Sequence, residues 1–420
     1  MRAGAAEIDI TPSAGIELSG FVARKQPSLG VHDPLYARAV YLDDEQGGRL
    51  VWINADLIGL GTEACDSIRK RIASALGLAC DRVVVSATHT HSGPPTILLN
   101  NCGSWDPADD SYRMTLVERL AEAGTTAARS PEPVELTFGQ SVCDVNHDRR
   151  GFASSHVDHL CSCLGLRRPE GSYLAVMANY ACHPVALGGE NRMISRDIFG
   201  FAADHVAAQL PGKPIVLLTN GACGNLNPPR TGIVWEECEA VGKRIGTAIL
   251  DASRLATRLD GPICAKGERI DVEPEAMTLP QIRDRAEGIR DEIRRWNNAW
   301  VDRAIDSTRK WETWMLQNYR PNASIDLRVH CVTIGDLKIA CVGAEAFSIL
   351  GDILRSRCGS PLFVAGYANG EMGYLCPRTA YPEAGYEVAN AYVYYNSPPV
   401  KIGEFERTAD HLTQLFGSLE

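Results

Sequence analysis

Two histidines separated by one residue, His89 and His91, form the most distinctive chemical pattern in the chain. They follow an apolar run at residues 83–86 (Val-Val-Val-Ser), which predicts a buried strand, and they precede Ser-Gly-Pro at residues 92–94, which predicts its end. Side chains two residues apart share one face of a strand, so we expect both imidazoles to point the same way. Such a pair can give one nitrogen to a metal ion and keep a second imidazole for proton transfer. The simpler alternative is two hydrogen-bonded loop histidines.

Four further apolar segments end in residues that bind metals or donate hydrogen bonds. They end at His183, at Asn220, at Glu345 and at residues 366–374. Polar side chains at the carboxyl ends of strands mark the usual position of a site in α/β folds. We therefore predict an α/β fold with central mixed β-sheets flanked by helices, and a metal site at the C-terminal ends of strands.

The residue types at these strand ends are those that zinc prefers. His89, His183 and Glu345 would give one zinc ion per chain three ligands. Zinc lowers the pKa of a bound water to about 7 and so supplies hydroxide at neutral pH. The pattern therefore predicts a metallohydrolase whose metal-bound hydroxide attacks a carbonyl carbon.

Three neighbouring residues are candidates to assist this attack. We expect His91 to act as general base or acid, and Asn220 and Asn227 to donate hydrogen bonds to the developing oxyanion. A cysteine nucleophile, Cys223 or Cys182, is an alternative that the sequence leaves open. Motifs of rival chemistries, such as Gly-x-Ser-x-Gly, the Walker A loop and His-Glu-x-x-His, do not occur.

Composition narrows the class of protein and its partners. The chain has 420 residues, 45% hydrophobic and 22% charged, and a net charge of −10 from 42 basic and 52 acidic side chains. This balance argues against nucleic-acid and anionic-membrane partners. No apolar run approaches the ~20 residues of a membrane span, and the first residues lack the apolar core of a signal peptide. The 14 cysteines include no Cys-x-x-Cys pair, so we expect reduced thiols in a cytoplasmic protein.

Residues 278–318 differ from the rest of the chain, being rich in charged residues with apolar positions at roughly heptad spacing. We divide the chain into a single domain, residues 1–420, with a helical insertion at about residues 278–318. An amphipathic helix here could pack on the core or on a second copy of the chain, giving a homo-oligomer. An aromatic lid over an apolar substrate is the other interpretation, since the segment holds these four of the seven tryptophans: Trp296, Trp300, Trp311 and Trp314.

The chain resembles the neutral/alkaline ceramidase family in its catalytic domain. The resemblance rests on six segments in family order: residues 7–12 (Glu-Ile-Asp-Ile-Thr-Pro), 32–39 (His-Asp-Pro-Leu-Tyr-Ala-Arg-Ala), 86–94 (Ser-Ala-Thr-His-Thr-His-Ser-Gly-Pro), 179–184 (Asn-Tyr-Ala-Cys-His-Pro), 343–345 (Gly-Ala-Glu) and 366–374 (Gly-Tyr-Ala-Asn-Gly-Glu-Met-Gly-Tyr). The segment with the two histidines is the most specific of them.

The resemblance implies a zinc amidase that cleaves a linear C–N amide bond. Carried over residue by residue, it implies that His89, His183, Glu345 and Tyr374 bind the metal. It implies that His91 is the catalytic histidine beside them.

This sequence also departs from the family pattern. The family's Gly-Asp-x-Ser-Pro-Asn segment is Gly-Asn-Leu-Asn-Pro-Pro at residues 224–229, so Asn227 stands where the family has a serine. The length leaves no room for the family's C-terminal immunoglobulin-like domain or secretion signal. We therefore expect a shorter cytoplasmic relative that acts on a small-molecule amide other than ceramide. A zinc esterase or lactonase is the alternative enzyme, and the changes at Asn225 and Asn227 also leave open a non-catalytic metal-binding relative.

Overall fold

The computed structural model describes residues 1–103, 110–230 and 232–419. Its helices are α1 (Thr62–Leu76), α2 (Asp110–Ala127), α3 (Asp197–Gln209), α4 (Trp235–Arg254), α5 (Leu279–Ile293), α6 (Val301–Asn318), α7 (Ile349–Cys358), α8 (Tyr386–Ala389), α9 (Ala391–Tyr394) and α10 (Glu404–Gly417). Its strands are β1 (Arg2–Asp9), β2 (Gly30–Val31), β3 (Tyr36–Asp43), β4 (Arg49–Ala55), β5 (Val83–Ala87), β6 (Glu132–Pro133), β7 (Glu135–Val142), β8 (His147–Asp148), β9 (Leu160–Arg167), β10 (Tyr173–Tyr180), β11 (Met193–Ile194), β12 (Ile215–Asn220), β13 (Leu226–Asn227), β14 (Thr257–Leu259), β15 (Ile263–Val272), β16 (Ile325–Ile334), β17 (Leu337–Val342), β18 (Glu345–Ala346), β19 (Leu362–Ala365) and β20 (Tyr374–Leu375).

Three larger sheets form the body of the protein, with strand orders β5-β4-β3-β1-β6, β12-β10-β9-β7-β14 and β15-β16-β17-β19. Most neighbouring strands are antiparallel, but each sheet contains one parallel pair: β4 with β5, β10 with β12, and β17 with β19. The remaining strands of the described residues form two-stranded sheets: β2 with β11, β8 with β13, and β18 with β20. The predicted mixed α/β architecture is therefore confirmed.

The three sheets share one apolar core, in which Trp52, Met177 and Ile339 are each at most 2% exposed. Helices cover the outer faces: α1 and α2 pack on the first sheet, α3 and α4 on the second, and α7 and α10 on the third. Burying this much apolar surface is the main favourable contribution to folding.

Backbone hydrogen bonds between three sheets bring the functional side chains together. The ends of β5, β10, β17 and β19 and the segments that follow them bond to one another: the Ala87 N–H donates to the Tyr367 carbonyl, the His91 N–H to the Pro184 carbonyl, and the Glu345 N–H to the Gly373 carbonyl. These are the segments that carry His89, His183, Glu345 and residues 366–374.

Residues 278–318 contain two helices, α5 and α6, rather than the single amphipathic helix of one interpretation. The two helices pack on each other through Ile282, Ile289 and Met315. Trp311 is fully buried, and its indole N–H donates to the Ser397 carbonyl. This tryptophan therefore packs within the fold rather than standing free as a lid. Among the described residues, no helix is both long and apolar enough to cross a membrane.

A buried ion pair fixes the first sheet next to the site. Asp56, which follows β4, is 2% exposed and accepts hydrogen bonds from the Arg38 guanidinium at 2.9 Å and from the Tyr36 backbone N–H at 3.0 Å. Burial raises the pKa of Asp56, and the Arg38 charge opposes that shift. A buried carboxylate is tolerated when it is paired with an opposite charge and hydrogen-bonded, and Asp56 is both.

We expect Asp56→Ala to lower the free energy of unfolding by about 3 kcal/mol, because it leaves Arg38 buried without this counter-ion. Urea unfolding at neutral pH measures the change. Glu7→Gln is the matched control, since Glu7 pairs with the same guanidinium. The Glu7 side chain is 37% exposed, against 3% for the Asp56 side chain. Its loss should therefore lower the free energy of unfolding by no more than roughly 1 kcal/mol. Equal losses in both variants would contradict the assignment.

Candidate metal centre

The first histidine is held in an uncommon backbone conformation. His89 lies beyond β5 with φ of +69°, and its backbone N–H donates to the Leu57 carbonyl. Its ring stacks on that of Tyr367, with centroids 4.0 Å apart, and Tyr367 also has a positive φ of +54°. Positive φ is costly for residues other than glycine and clusters at functional sites.

Backbone carbonyls fix the tautomers of two histidines. The Nδ1 atom of His89 lies 2.5 Å from the Ile58 carbonyl oxygen, and that of His183 lies 2.9 Å from the Leu226 carbonyl oxygen. A carbonyl oxygen can only accept, so both Nδ1 atoms must carry the hydrogen. In the neutral rings, each Nε2 atom is therefore left with a lone pair.

These lone pairs face a buried carboxylate. Glu345, 2% exposed, places Oε2 2.9 Å from His183 Nε2 and 3.4 Å from His89 Nε2. Burial would raise the pKa of Glu345, but the two histidines bring it well below its usual value. The pKa of His183 is lowered to about 4 by burial and by the charge of Arg149, so its ring is neutral at pH 7. The Nε2 atoms of His89 and His183 and the Oε2 atom of Glu345 thus lie close together, and a cation between them would attract all three.

This donor set fits a divalent metal ion. Two imidazole nitrogens and one carboxylate oxygen, with the far nitrogen of each ring bonded to a carbonyl, are the usual ligands and supports of zinc in proteins. The ligand nitrogens of His89, His91 and His183 all lie within 4.8 Å of one another.

His91 lies beside this set with one nitrogen directed at it. Its Nε2 atom is 3.2 Å from His89 Nε2, while its buried Nδ1 atom has no hydrogen-bond partner in the described part of the chain. Burial, followed by the neighbouring His89 and His183, lowers the pKa of His91 well below the usual value. The two imidazoles converge as the sequence indicates, although the strand ends at Ala87 and the loop, not strand alternation, brings them together.

Glycine at position 20 makes room for His91. Gly20 has φ of +97°, and a Cβ atom there would overlap His91 Nδ1. Phe21 holds the other side of the imidazole, with ring centroids 5.0 Å apart. The glycine-rich segment before residue 30 therefore positions the second histidine, a role that sequence reasoning missed.

A second tyrosine reaches Glu345, beside Tyr374. Tyr395 donates a hydrogen bond from its hydroxyl to Glu345 Oε1. Tyr374 pairs with Glu345 through the backbones of β18 and β20, but its hydroxyl accepts a hydrogen bond from Arg149 at 2.8 Å. Sequence reasoning missed Tyr395, which follows α9 and lies 50 residues beyond Glu345.

Asn220 has a structural role in place of the expected oxyanion contact. Its two amide hydrogens donate to the Thr88 and Cys182 carbonyls, and its oxygen accepts from the Cys182 N–H. Neither hydrogen is left for a substrate. Asn227 lies between Arg149 and Arg230, and in the amide orientation that satisfies both polar atoms its oxygen accepts from Arg230 at 3.3 Å.

The two candidate nucleophilic thiols are packed. Cys182 and Cys223 are fully buried, and burial raises the pKa of each well above the usual value. Cys223 Sγ lies 3.0 Å from the Tyr367 hydroxyl. A neutral, enclosed thiol is a poor nucleophile.

A cavity of about 420 Å³ begins at Tyr395. It is lined in part by Ile97, Leu98 and Met372 and by the carboxyl group of Glu371. Burial, and next the charge of Glu345, raises the pKa of Glu371 well above its usual value. The cavity therefore combines these apolar side chains with Glu371 and with the charged residues Glu63, Arg113 and Asp326, and it adjoins Tyr395, whose hydroxyl contacts Glu345.

An α/β fold with a two-histidine, one-carboxylate centre at strand ends defines the class of site. A sequence model described as neutral/alkaline non-lysosomal ceramidase, N-terminal, matches residues 1–215. The chain belongs to this family.

Individual relatives agree with this assignment. The neutral ceramidase of Drosophila melanogaster is 24% identical over 278 residues, 59% of this chain and 39% of that protein. That of Mycobacterium tuberculosis is 29% identical over 220 residues, 47% of this chain and 34% of that protein. The matched regions thus span less than half the length of these relatives. The crystal structure of neutral ceramidase from Pseudomonas aeruginosa shares the fold, with a TM-score of 0.74 and 18% identity, covering 100% of this chain and 73% of that one.

We predict that Gly20→Ala displaces the His91 imidazole, because the new methyl group would overlap Nδ1. The ¹H–¹⁵N correlations of the imidazole nitrogens measure the displacement. Gly15→Ala is the matched control: Gly15 has φ of +96°, but no atom lies within 4 Å of the place its methyl group would take, so both variants carry the same backbone strain of roughly 1–2 kcal/mol. Unchanged His91 signals in Gly20→Ala would contradict this packing.

Proposed function

We propose that the chain is a metal-dependent hydrolase that cleaves a C–N amide bond in a small molecule, with zinc as the metal. The observation that carries the proposal is the convergence of two tautomer-fixed imidazoles on the buried carboxylate of Glu345. Membership of the neutral/alkaline ceramidase family supports an amide as the bond cleaved. Action on a substrate other than ceramide, and a cytoplasmic location, remain predictions from the sequence.

His89, His183 and Glu345 would hold the metal. A bound zinc ion would act as a Lewis acid on the substrate carbonyl and lower the pKa of a water molecule. Tyr395 keeps Glu345 in place through its hydroxyl, and burial keeps that hydroxyl protonated by raising its pKa well above the usual value.

His91 is placed to move the proton. Because its pKa is lowered, the ring is neutral at pH 7 and can accept a proton at Nε2, the nitrogen nearest the metal ligands. The same nitrogen can then give the proton to the departing amine, which must be protonated to leave. Its Nδ1 atom beside Gly20 has no hydrogen-bond partner among the described residues, so no second hydrogen bond holds the ring there.

The cavity at Tyr395 would receive one part of the substrate. Its apolar wall of Ile97, Leu98 and Met372 suits an alkyl or aromatic group of modest size. The pKa of the Glu371 carboxyl is raised well above its usual value, and when it carries a proton it would donate a hydrogen bond to an acceptor on that group.

We expect His91→Gln to lower kcat for amide hydrolysis by about 10²–10⁴-fold, the usual contribution of a general acid–base, and to leave the metal bound. His89→Ala should lose both metal and turnover. His205→Gln, on α3 away from the centre, is the control and should retain both. The assay compares a panel of N-acyl amides with their matching esters, using zinc-supplied protein.

The outcomes separate the alternatives. Hydrolysis of esters without any amide would indicate an esterase or lactonase. A protein that holds the metal but hydrolyses neither class would be a non-catalytic metal-binding relative. Equal turnover by wild type and His91→Gln would contradict the role of His91.

A further inference from the structure

An arginine stands at the rim of the centre without an acidic partner. Arg230 follows β13 closely, is exposed, and forms no ion pair with any carboxylate in the described part of the chain. Its guanidinium carbon lies 5.7 Å from the centroid of the Phe21 ring, and the same ring contacts His91. One phenyl ring therefore separates this cation from the proposed proton carrier.

The side chain beside Arg230 gives it a hydrogen bond but no charge. The amide of Asn227 lies between Arg149 and Arg230. In the orientation that satisfies both of its polar atoms, its nitrogen donates to the Leu226 carbonyl and its oxygen accepts from Arg230 at 3.3 Å. A neutral amide does not balance the charge of a guanidinium, so Arg230 keeps an uncompensated positive charge.

Other guanidinium groups lie close by. Arg24 is 6% exposed, its guanidinium carbon lies 5.2 Å from the centroid of Phe21, and its hydrogen bonds in the described part of the chain go to backbone carbonyls. Burial lowers the pKa of Arg24 to about 10. Arg149 and Arg150 both pair with Glu387, and Arg150 also lies 3.9 Å from Glu383.

The pKa of Arg230 is itself lowered, first by desolvation and then by the like charge of Arg149. The charge of Asp197 opposes this shift, but its oxygens accept hydrogen bonds from backbone N–H groups, and in the described part of the chain it forms no ion pair with Arg230. Two neighbouring guanidinium groups at this rim therefore attract an anion.

We infer that Arg230 binds an anionic group of the substrate, so that the amide cleaved carries a carboxylate a few bonds from the scissile carbonyl. The inference rests on the proposed function, since it names the substrate class of that site. The planar guanidinium matches a carboxylate through two parallel hydrogen bonds, and Phe21 sets the separation between the anion and His91. The carboxylate can belong to the amine part, as in an N-acylglycine, or to the acyl part, as in an N-alkylsuccinamate.

The test compares isosteric substrates that differ only in charge. N-acetylglycine is paired with N-acetylglycinamide, and N-methylsuccinamate with N-methylsuccinamide, and kcat/KM is measured for wild type, Arg230→Gln and Arg230→Lys. We expect wild type to prefer one carboxylate over its neutral partner by about 30-fold, a typical value for a charge-assisted hydrogen bond. Arg230→Gln should abolish this preference, and Arg230→Lys should restore part of it. Arg295→Gln, which removes an exposed arginine after α5, controls for the change in net charge.

Binding is measured separately so that it does not depend on turnover. Titration of N-acetylglycine and N-methylsuccinamate into wild type and Arg230→Gln should show that at least one binds, and that the variant binds it about 30-fold more weakly. Weakened binding without hydrolysis in any protein would retain the anion site and overturn the proposed amidase function. Equal affinity, or an equal ratio of charged to neutral turnover in wild type and Arg230→Gln, would overturn the anion site itself.

Discussion

The centre depends on a mutual constraint between two histidines and one glutamate. In each of His89 and His183, the ring nitrogen that carries the hydrogen donates it to a backbone carbonyl. The other ring nitrogen, with its lone pair, therefore faces the buried Glu345 carboxylate, at 2.9 Å for His183 and 3.4 Å for His89. Without a cation, such an arrangement brings like partial charges together in a low-dielectric interior, where the cost is greatest. With a shared cation, the same contacts become favourable. The remaining features of the site follow from keeping these three groups in place.

The fold provides that rigidity through a core shared by three sheets. The segments after β5, β10 and β17 leave three separate sheets, and the common core fixes the sheets together. The accepting carbonyl of Ile58 lies in the segment after β4, and that of Leu226 lies in β13. The positive φ angles of His89 and Tyr367 are strained backbone conformations, and they orient the two rings in the site.

Part of this organisation could be predicted from the sequence. Apolar runs ending in His183 or Glu345 indicate strand ends, and the short motifs around His89 indicate the family, because each signal is local. The contributions of Gly20, Tyr395 and Arg230 could not be predicted in this way. They depend on which loops meet across the fold, and sequence spacing does not encode those contacts.

Asn220 shows that a sequence can also indicate a catalytic role for a residue that is structural. Asn220 ends an apolar strand as a catalytic residue would, yet its amide completes backbone hydrogen bonds. Residue type and position along a strand do not reveal whether a polar group faces a substrate or a neighbouring carbonyl.

The most direct test of the central claim is the metal content of zinc-supplied protein, measured by elemental analysis for wild type, Glu345→Gln and Glu371→Gln. Both variants replace a buried carboxyl by a near-isosteric amide, but the Glu345 carboxyl lies against the imidazoles, and its pKa is lowered whereas that of Glu371 is raised. The account predicts about one metal per chain in wild type and in Glu371→Gln, and little or none in Glu345→Gln. A wild-type protein that binds no metal, or a Glu345→Gln variant that binds as much as wild type, would contradict it.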